Sequence, residues 1–281
     1  MGAGLAEEFA RPGAILFLTA RSKEALAETQ RRCENKGAVV VSMAVDVTDR
    51  QGMRKAINEA MTTRTIDLVI ANAGITGESG LDDALRVVDT NLNGTLHTIV
   101  PILDRWRELG VGGSVAIMSS LNGHVSVATS FMAGACCCFS FSSLTHARMV
   151  ANEKAYATTK VGLRILGESL RASYERFDVC ITVLCPGMTE SRMVAHQMDS
   201  GIPMITGVVS LGQGARWMAD AIRRGDPECG YPTLWFAYTR VVGSMPAWAR
   251  DLFLPVYLYF DPYTPHSVKL EDARAQQTKQ D

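Results

Sequence analysis

Residues 66–74 read Ile-Asp-Leu-Val-Ile-Ala-Asn-Ala-Gly, a short apolar run followed by a polar residue and two small ones. An apolar run of this length predicts a strand that is buried on both faces, as in a parallel sheet. Ligands of such sheets bind beyond the carboxyl ends of the strands. Asn72, Ala73 and Gly74 are therefore candidate binding residues, although an ordinary turn would use the same residue types.

The same pattern recurs on both sides of this stretch. Further apolar runs predict strands at 14–20, 38–45, 113–119 and 179–185. Helical segments are predicted between them, at 22–35, 49–61, 81–109 and 153–177, with Ser22 as an N-cap. This alternation predicts an α/β fold with a doubly wound parallel sheet and right-handed crossovers.

Composition limits the function. The chain has 281 residues, 47% of them hydrophobic, which suits one α/β domain at 1–232 and an apolar, aromatic extension with a polar tail at 233–281. A net charge of −1 gives no basic field, so we expect no nucleic-acid partner. The seven cysteines form neither a disulfide framework nor a zinc-ligand spacing, so we expect no metal site. Without an evident signal peptide or transmembrane stretch, we expect a cytoplasmic protein.

One pair of residues has the chemistry of an acid–base unit. Tyr156 and Lys160 are four residues apart, so on a helix their side chains share a face. An ammonium beside a phenol favours the phenolate and is expected to lower the tyrosine pKa. The pair alone is weak evidence, because the same spacing is common on solvated helix faces.

The pair is one member of an ordered set of motifs. The others are Asn72-Ala73-Gly74, Asn91 with Gly94, Ser119-Ser120 after a predicted strand, and Cys185-Pro186-Gly187. The set resembles the short-chain dehydrogenase/reductase family over about residues 2–232. The resemblance implies a Rossmann-like fold, hydride transfer between a nicotinamide cofactor and a carbonyl or alcohol substrate, and a homo-oligomer.

The resemblance also implies catalytic roles. Tyr156 would exchange a proton with the substrate oxygen, and Ser120 would hydrogen-bond that oxygen. Lys160 would lower the tyrosine pKa and hold the nicotinamide ribose. Asn91 would order a water beside Lys160, with Asn93 as the competing candidate. Ser120 is preferred to Ser119 because Ser-Leu-Asn-Gly matches the family pattern.

Cofactor contacts follow from the same resemblance. Where an acidic residue would select NAD, the strand ending at Ala20 is followed by Arg21 and Ser22, so NADP is favoured over NAD. An exposed loop arginine is the alternative interpretation. The remaining candidates are Gly2, Asp46, Val47, Asn72, Ala73, Gly74, Tyr156, Lys160, Pro186, Gly187 and Thr189.

The chain departs from the family at its start. Gly2 and the residues after it look like the last glycine of a phosphate-binding turn and the helix that follows, so the fold is expected to be N-terminally truncated. Loss of that first strand should leave unpaired edges on its neighbours. A catalytically impaired member that serves as a binding or scaffold protein is therefore the alternative function.

Two further segments have no counterpart in the pattern. Ser120 and Tyr156 are 156 − 120 = 36 residues apart, which is longer than the resemblance implies, and the surplus at 129–151 is either a gene-model error or a genuine lid. The aromatic stretch at 233–260 could line the substrate pocket, form a dimer contact or lie at a membrane surface. Packing on its own domain is the commonest fate of such a stretch.

Overall fold

Helices and strands alternate along the part of the chain that a computed structural model describes, residues 1–77, 81–124, 144–191, 208–246 and 249, with only the helical backbone at 144–154. The elements are α1 (Gly2–Phe9), β1 (Ile15–Ala20), α2 (Lys23–Glu34), β2 (Val39–Ala44), α3 (Arg50–Thr63), β3 (Leu68–Ala71), α4 (Leu81–Val88), α5 (Gly94–Leu109), β4 (Gly113–Met118), α6 (Leu144–Tyr174), β5 (Val179–Pro186), α7 (Leu211–Arg224), β6 (Glu228–Tyr231) and α8 (Thr233–Ser244). One π-helical turn, Asp89–Asn93, joins α4 to α5, and a 3-10 turn, Leu121–Gly123, follows β4.

All strand pairs are parallel, but the strands form two sheets. The first has the order β1-β2 and the second β3-β4-β5-β6. Among the described strands, β1, β2, β3 and β6 therefore each hydrogen-bond to one neighbour only.

Helices cover both faces of the four-stranded sheet. Along β4, Val115 and Ile117 belong to a core with α3, α5 and α6, whereas Ala116 and Met118 belong to a core with α1 and α7. Successive side chains of a strand point to opposite faces, so a strand buried on both faces must be apolar throughout. The doubly wound arrangement predicted from the alternating pattern is confirmed.

Element ends mostly follow local sequence. All five predicted strands form, with ends within two residues of the prediction, and Ser22 caps α2 by accepting from Ala25 N at 3.1 Å. Asp49 caps α3, its side chain accepting from Gln51 N and Gly52 N. The helix predicted to begin at Glu153 begins at Leu144 instead.

Residues 1–244 form one compact unit. Helix α8 packs against β6 within this unit. The domain boundary at residue 232 stays a prediction. Of the proposed insertion at 129–151, residues 129–143 lie outside the described residues, and 144–151 are helical backbone of α6. No helix in the described ranges has both the length and the apolar character that a membrane span requires.

Candidate active site

The predicted catalytic residues meet at the carboxyl ends of β3 and β4. Ser120 follows β4, Asn91 lies in the π-helical turn, and Tyr156 and Lys160 lie on α6. Parallel strands bring their carboxyl ends to one edge of the sheet, and α6 crosses back over β4 and β5. Residues 91, 120 and 156, far apart in sequence, are thereby placed around one space.

Tyr156 is partly buried and its hydroxyl is hydrogen-bonded to the Ser120 side chain. Burial raises the pKa of Tyr156, and the bond to Ser120 lowers it by less. The net direction is therefore upward, and the expected lowering of the tyrosine pKa by Lys160 itself stays a prediction. Loss of water around the phenol outweighs the favourable contacts of its anion.

Lys160 is buried, and its Nζ donates to Met118 O at 2.9 Å. The same Nζ lies 5.4 Å from the centroid of the Tyr156 ring, so the ammonium is over the ring rather than at the hydroxyl. Burial lowers the pKa of Lys160 to about 8, opposed in part by the Cys185 thiol. At a pKa of about 8 the lysine still carries its charge at neutral pH.

The two adjacent serines have different partners. Ser119 is buried and its Oγ donates to Lys160 O at 2.8 Å, which ties β4 to α6. Ser120 Oγ accepts from Asn122 N at 3.3 Å and bonds to Tyr156. The geometry therefore brings Ser120, not Ser119, to the phenol, and gives Ser119 a positioning contact that the sequence did not reveal.

Asn91 is fully buried and uses its whole amide. Its Oδ1 accepts from Ile75 N at 2.8 Å, and its Nδ2 donates to Ile75 O at 3.0 Å and to Thr159 Oγ1 at 3.0 Å. It thus fixes the segment after β3 to helix α6. Asn93, its competitor, bonds only to Asp89 on the exposed side. Thr159 was missed as a site residue, although it lies within the motif between Tyr156 and Lys160.

Gly74 lies against two of these side chains. A Cβ at this position would stand 3.3 Å from Asn91 Oδ1 and 3.4 Å from Lys160 Nζ. A methyl group here would press on Asn91 by a few tenths of an ångström. The packing of the site therefore favours glycine at position 74.

Arg21 and Asp46 form a second corner, where β1 and β2 end. Arg21 Nε lies 3.9 Å from Asp46 Oδ2, and the Arg21 side chain is 69% exposed. Asp46 Oδ1 accepts from both Thr48 N and Thr48 Oγ1 at 2.9 Å. Val47 O lies 2.8 Å from His97 Nδ1. The structure thus brings Arg21, Asp46 and Val47 to one strand-end corner.

The other cofactor candidates lie in close contact with neighbouring residues. Gly2 begins α1 beside Asn72, and a Cβ on it would lie 2.6 Å from Asn72 Nδ2. Gly187 N donates to Tyr231 O at 2.8 Å. Thr189 is buried, with its Oγ1 2.9 Å from Tyr231 Oη, so that hydroxyl faces the core rather than the open site. Pro186 is the last residue of β5.

Comparison with known proteins gives the family. A family model described as short chain dehydrogenase matches residues 1–135. An uncharacterized oxidoreductase of Mycobacterium tuberculosis is 31% identical over 256 residues, covering 87% of this chain and 88% of that protein. The chain belongs to the short-chain dehydrogenase/reductase family.

Solved structures share the fold. A short-chain dehydrogenase from Sphingobium yanoikuyae in complex with NADPH has a TM-score of 0.66 at 18% identity, covering 87% of this chain and 91% of that one. A 3-oxoacyl-[acyl-carrier protein] reductase from Brucella melitensis with bound NAD has a TM-score of 0.62 at 19% identity, covering 82% and 84%. At these identities the likeness describes the fold, and the two structures differ in their cofactor.

Proposed function

We propose that this chain is an NADP-preferring oxidoreductase that transfers a hydride between the cofactor and a small carbonyl or alcohol substrate, with Tyr156 as general acid and base. The observation that supports this most is the grouping of Tyr156, Ser120 and Lys160 around one space. Structural roles explain each residue alone. They do not explain why a phenol, a hydroxyl and an ammonium meet where β4 ends.

The raised pKa of Tyr156 favours the reductive direction. With its pKa raised by burial, the phenol keeps its proton at neutral pH and can donate it to a carbonyl oxygen. Ser120, bonded to the same hydroxyl, would hold that oxygen. Lys160 adds positive charge 5.4 Å from the ring, which would stabilise the phenolate left after proton transfer.

The residues present fit a nicotinamide dinucleotide at its two ends. Gly74 lies beside Lys160 Nζ, and a backbone without a side chain next to an ammonium suits a ribose. Arg21 is exposed at the other corner, and its charge suits a 2′-phosphate. The cofactor supplies or accepts the hydride when it is bound. The proposed set is completed by Ser22, Asn72, Ala73, Pro186, Gly187 and Thr189. Of these, Thr189 would act through Tyr231 and the backbone.

The proposal includes the cellular compartment of the enzyme. The described cysteines Cys33, Cys180, Cys185 and Cys229 are free thiols, which supports a reducing compartment such as the cytoplasm.

A homo-oligomer is supported by exposed apolar side chains on α8, where Leu234 is 84% and Val241 59% exposed. Size-exclusion chromatography with light scattering tests this, and a monomer at all concentrations would contradict it.

The second candidate is a binding or scaffold protein that does not turn over. The split into two sheets favours it, because β1 and β3 have no described strand paired between them at the point where a dinucleotide binds. The discriminating measurement is titration of NADPH against the protein, followed by fluorescence. Saturable binding favours the enzyme, and no binding favours the scaffold.

The direct test of the enzyme is a panel of ketones and aldehydes with NADPH or NADH, followed by the absorbance of the reduced cofactor. We expect at least one carbonyl compound to be reduced, faster with NADPH. Saturable NADPH binding without turnover on any member of the panel, in either direction, would contradict catalysis while leaving the cofactor site in place.

A further inference from the structure

Three potential metal ligands meet next to the catalytic residues. His124 ends the turn that begins at Ser120, Cys185 lies near the end of β5, and Glu228 begins β6. The imidazole, thiol and carboxylate ligand atoms all lie within 4.8 Å of one another. Glu228 Oε1 is 2.7 Å from His124 Nε2 and 3.4 Å from Cys185 Sγ.

The cluster is enclosed, and one of its atoms lacks a hydrogen bond. The side chains of His124 and Glu228 are 6% and 11% exposed, and Cys185 is fully buried. His124 Nε2 is close to the carboxylate, yet no hydrogen bond of acceptable geometry reaches this buried nitrogen. A buried polar atom without a hydrogen bond costs stability, unless something else binds it.

We propose that His124, Cys185 and Glu228 form a binding site for one zinc ion. Imidazole nitrogen, thiolate and carboxylate oxygen are the three ligand types that proteins use for Zn²⁺, and three protein ligands leave a fourth position for water. The calcium and magnesium ions are disfavoured, because they prefer oxygen ligands to sulfur. Metal binding would displace the thiol proton and any proton on the ligating nitrogen of His124.

The surroundings support the site. Arg240 lies 3.5 Å from Glu228 Oε2, the oxygen not shared with His124 and Cys185, so it can hold the carboxylate in orientation. The Phe236 ring meets the His124 ring edge-on at 5.6 Å and restricts its rotation. Glu228 also lines a cavity of about 90 Å³ beside the cluster.

Sequence spacing fails to reveal the site, because each ligand comes from a different element. His124 and Cys185 are 61 residues apart, and Cys185 and Glu228 are 43 apart. An ion held there would fix the turn that carries Ser120 to the ends of β5 and β6. Its role would be to position the active site, not to contact the substrate.

The test is a titration of the full chain, treated with chelator, with cobalt(II), which reports thiolate ligation by a charge-transfer absorption. We expect one equivalent to bind and zinc(II) to displace it. The near-isosteric variants Cys185→Ser and Glu228→Gln should weaken binding more than about 100-fold, the upper end for loss of an outer-shell partner. The control is Cys180→Ser on the same strand, whose Sγ faces Gly225 O at 3.7 Å and should bind like the parent.

A second measurement guards against misfolded variants. Zinc(II) should raise the melting temperature of the parent and of Cys180→Ser, but not that of Glu228→Gln. Binding that persists in Cys185→Ser, or that is lost equally in Cys180→Ser, would place the ion elsewhere and overturn the proposal. So would the absence of any charge-transfer band in the parent.

Discussion

Asn91 offers a prediction whose size follows from its contacts. Asn91→Ala removes three hydrogen bonds from a fully buried amide, two to the backbone of Ile75 and one to Thr159. At about 1 kcal/mol net for each bond, the free energy of unfolding should fall by about 3 kcal/mol. For a unit of this size that corresponds to a melting temperature lower by about 6–12 °C. Differential scanning calorimetry with the protein free of ligand measures it.

The control lies two residues away in the same turn. Asn93 donates one exposed hydrogen bond to Asp89 at 2.9 Å, so Asn93→Ala should change the free energy of unfolding by no more than about 0.5 kcal/mol. The Asn91 variant should also lose activity, since the segment after β3 is no longer fixed to α6. Equal melting temperatures for the two variants would refute the assignment of Asn91 as the clamp.

Three further predictions concern charge, cofactor and the extra segment. The pKa of Lys160 is about 8 in the folded protein and 10.5 ordinarily. Between pH 8 and 10.5 the unfolded chain therefore binds more protons than the folded one. In that range this lysine makes the free energy of unfolding rise with pH. Urea unfolding at pH of about 7.5 and 9.5 should show the parent gaining stability relative to Lys160→Met, and parallel curves would contradict it. Arg21→Ala should weaken NADPH by about ten-fold or more and NADH little in a fluorescence titration, since it removes a charge-assisted contact to the 2′-phosphate; equal losses would refute the contact. Deletion of residues 129–143, the part of the proposed insertion that precedes α6, should leave the melting temperature unchanged and raise activity or soluble yield; a lower melting temperature would show that the segment belongs to the domain.

Local signals were enough for most of the fold. Apolar runs located five of the six described strands, and the side chain of Ser22 located the start of α2. Strand β6 was missed because it is four residues long and reads Glu-Cys-Gly-Tyr, without a β-branched residue. The start of α6 was also missed, because the residues before Glu153 lack a clear helical period.

The site was harder to predict, because its electrostatics depend on burial. The sequence identified Tyr156 and Lys160 as partners, but the direction of each pKa shift is set by the surrounding packing. Burial raises the tyrosine pKa, opposite to the lowering expected from the proximity of Lys160 alone, and it lowers the lysine pKa. Backbone partners such as Met118 O leave no trace in residue type.

The central claim is that the Tyr156 hydroxyl performs the proton transfer. The measurement is kcat for NADPH-dependent reduction of the best carbonyl compound from the panel, compared between the parent, Tyr156→Phe and Tyr174→Phe. Tyr174 is on the same helix and packs against Phe177 with ring centroids 5.8 Å apart, so its variant controls for loss of a hydroxyl from α6. We expect kcat to fall about 10²–10⁴-fold in Tyr156→Phe alone, with both variants folded. If Tyr156→Phe keeps more than about a tenth of the parent activity, another group transfers the proton and the proposed mechanism is wrong.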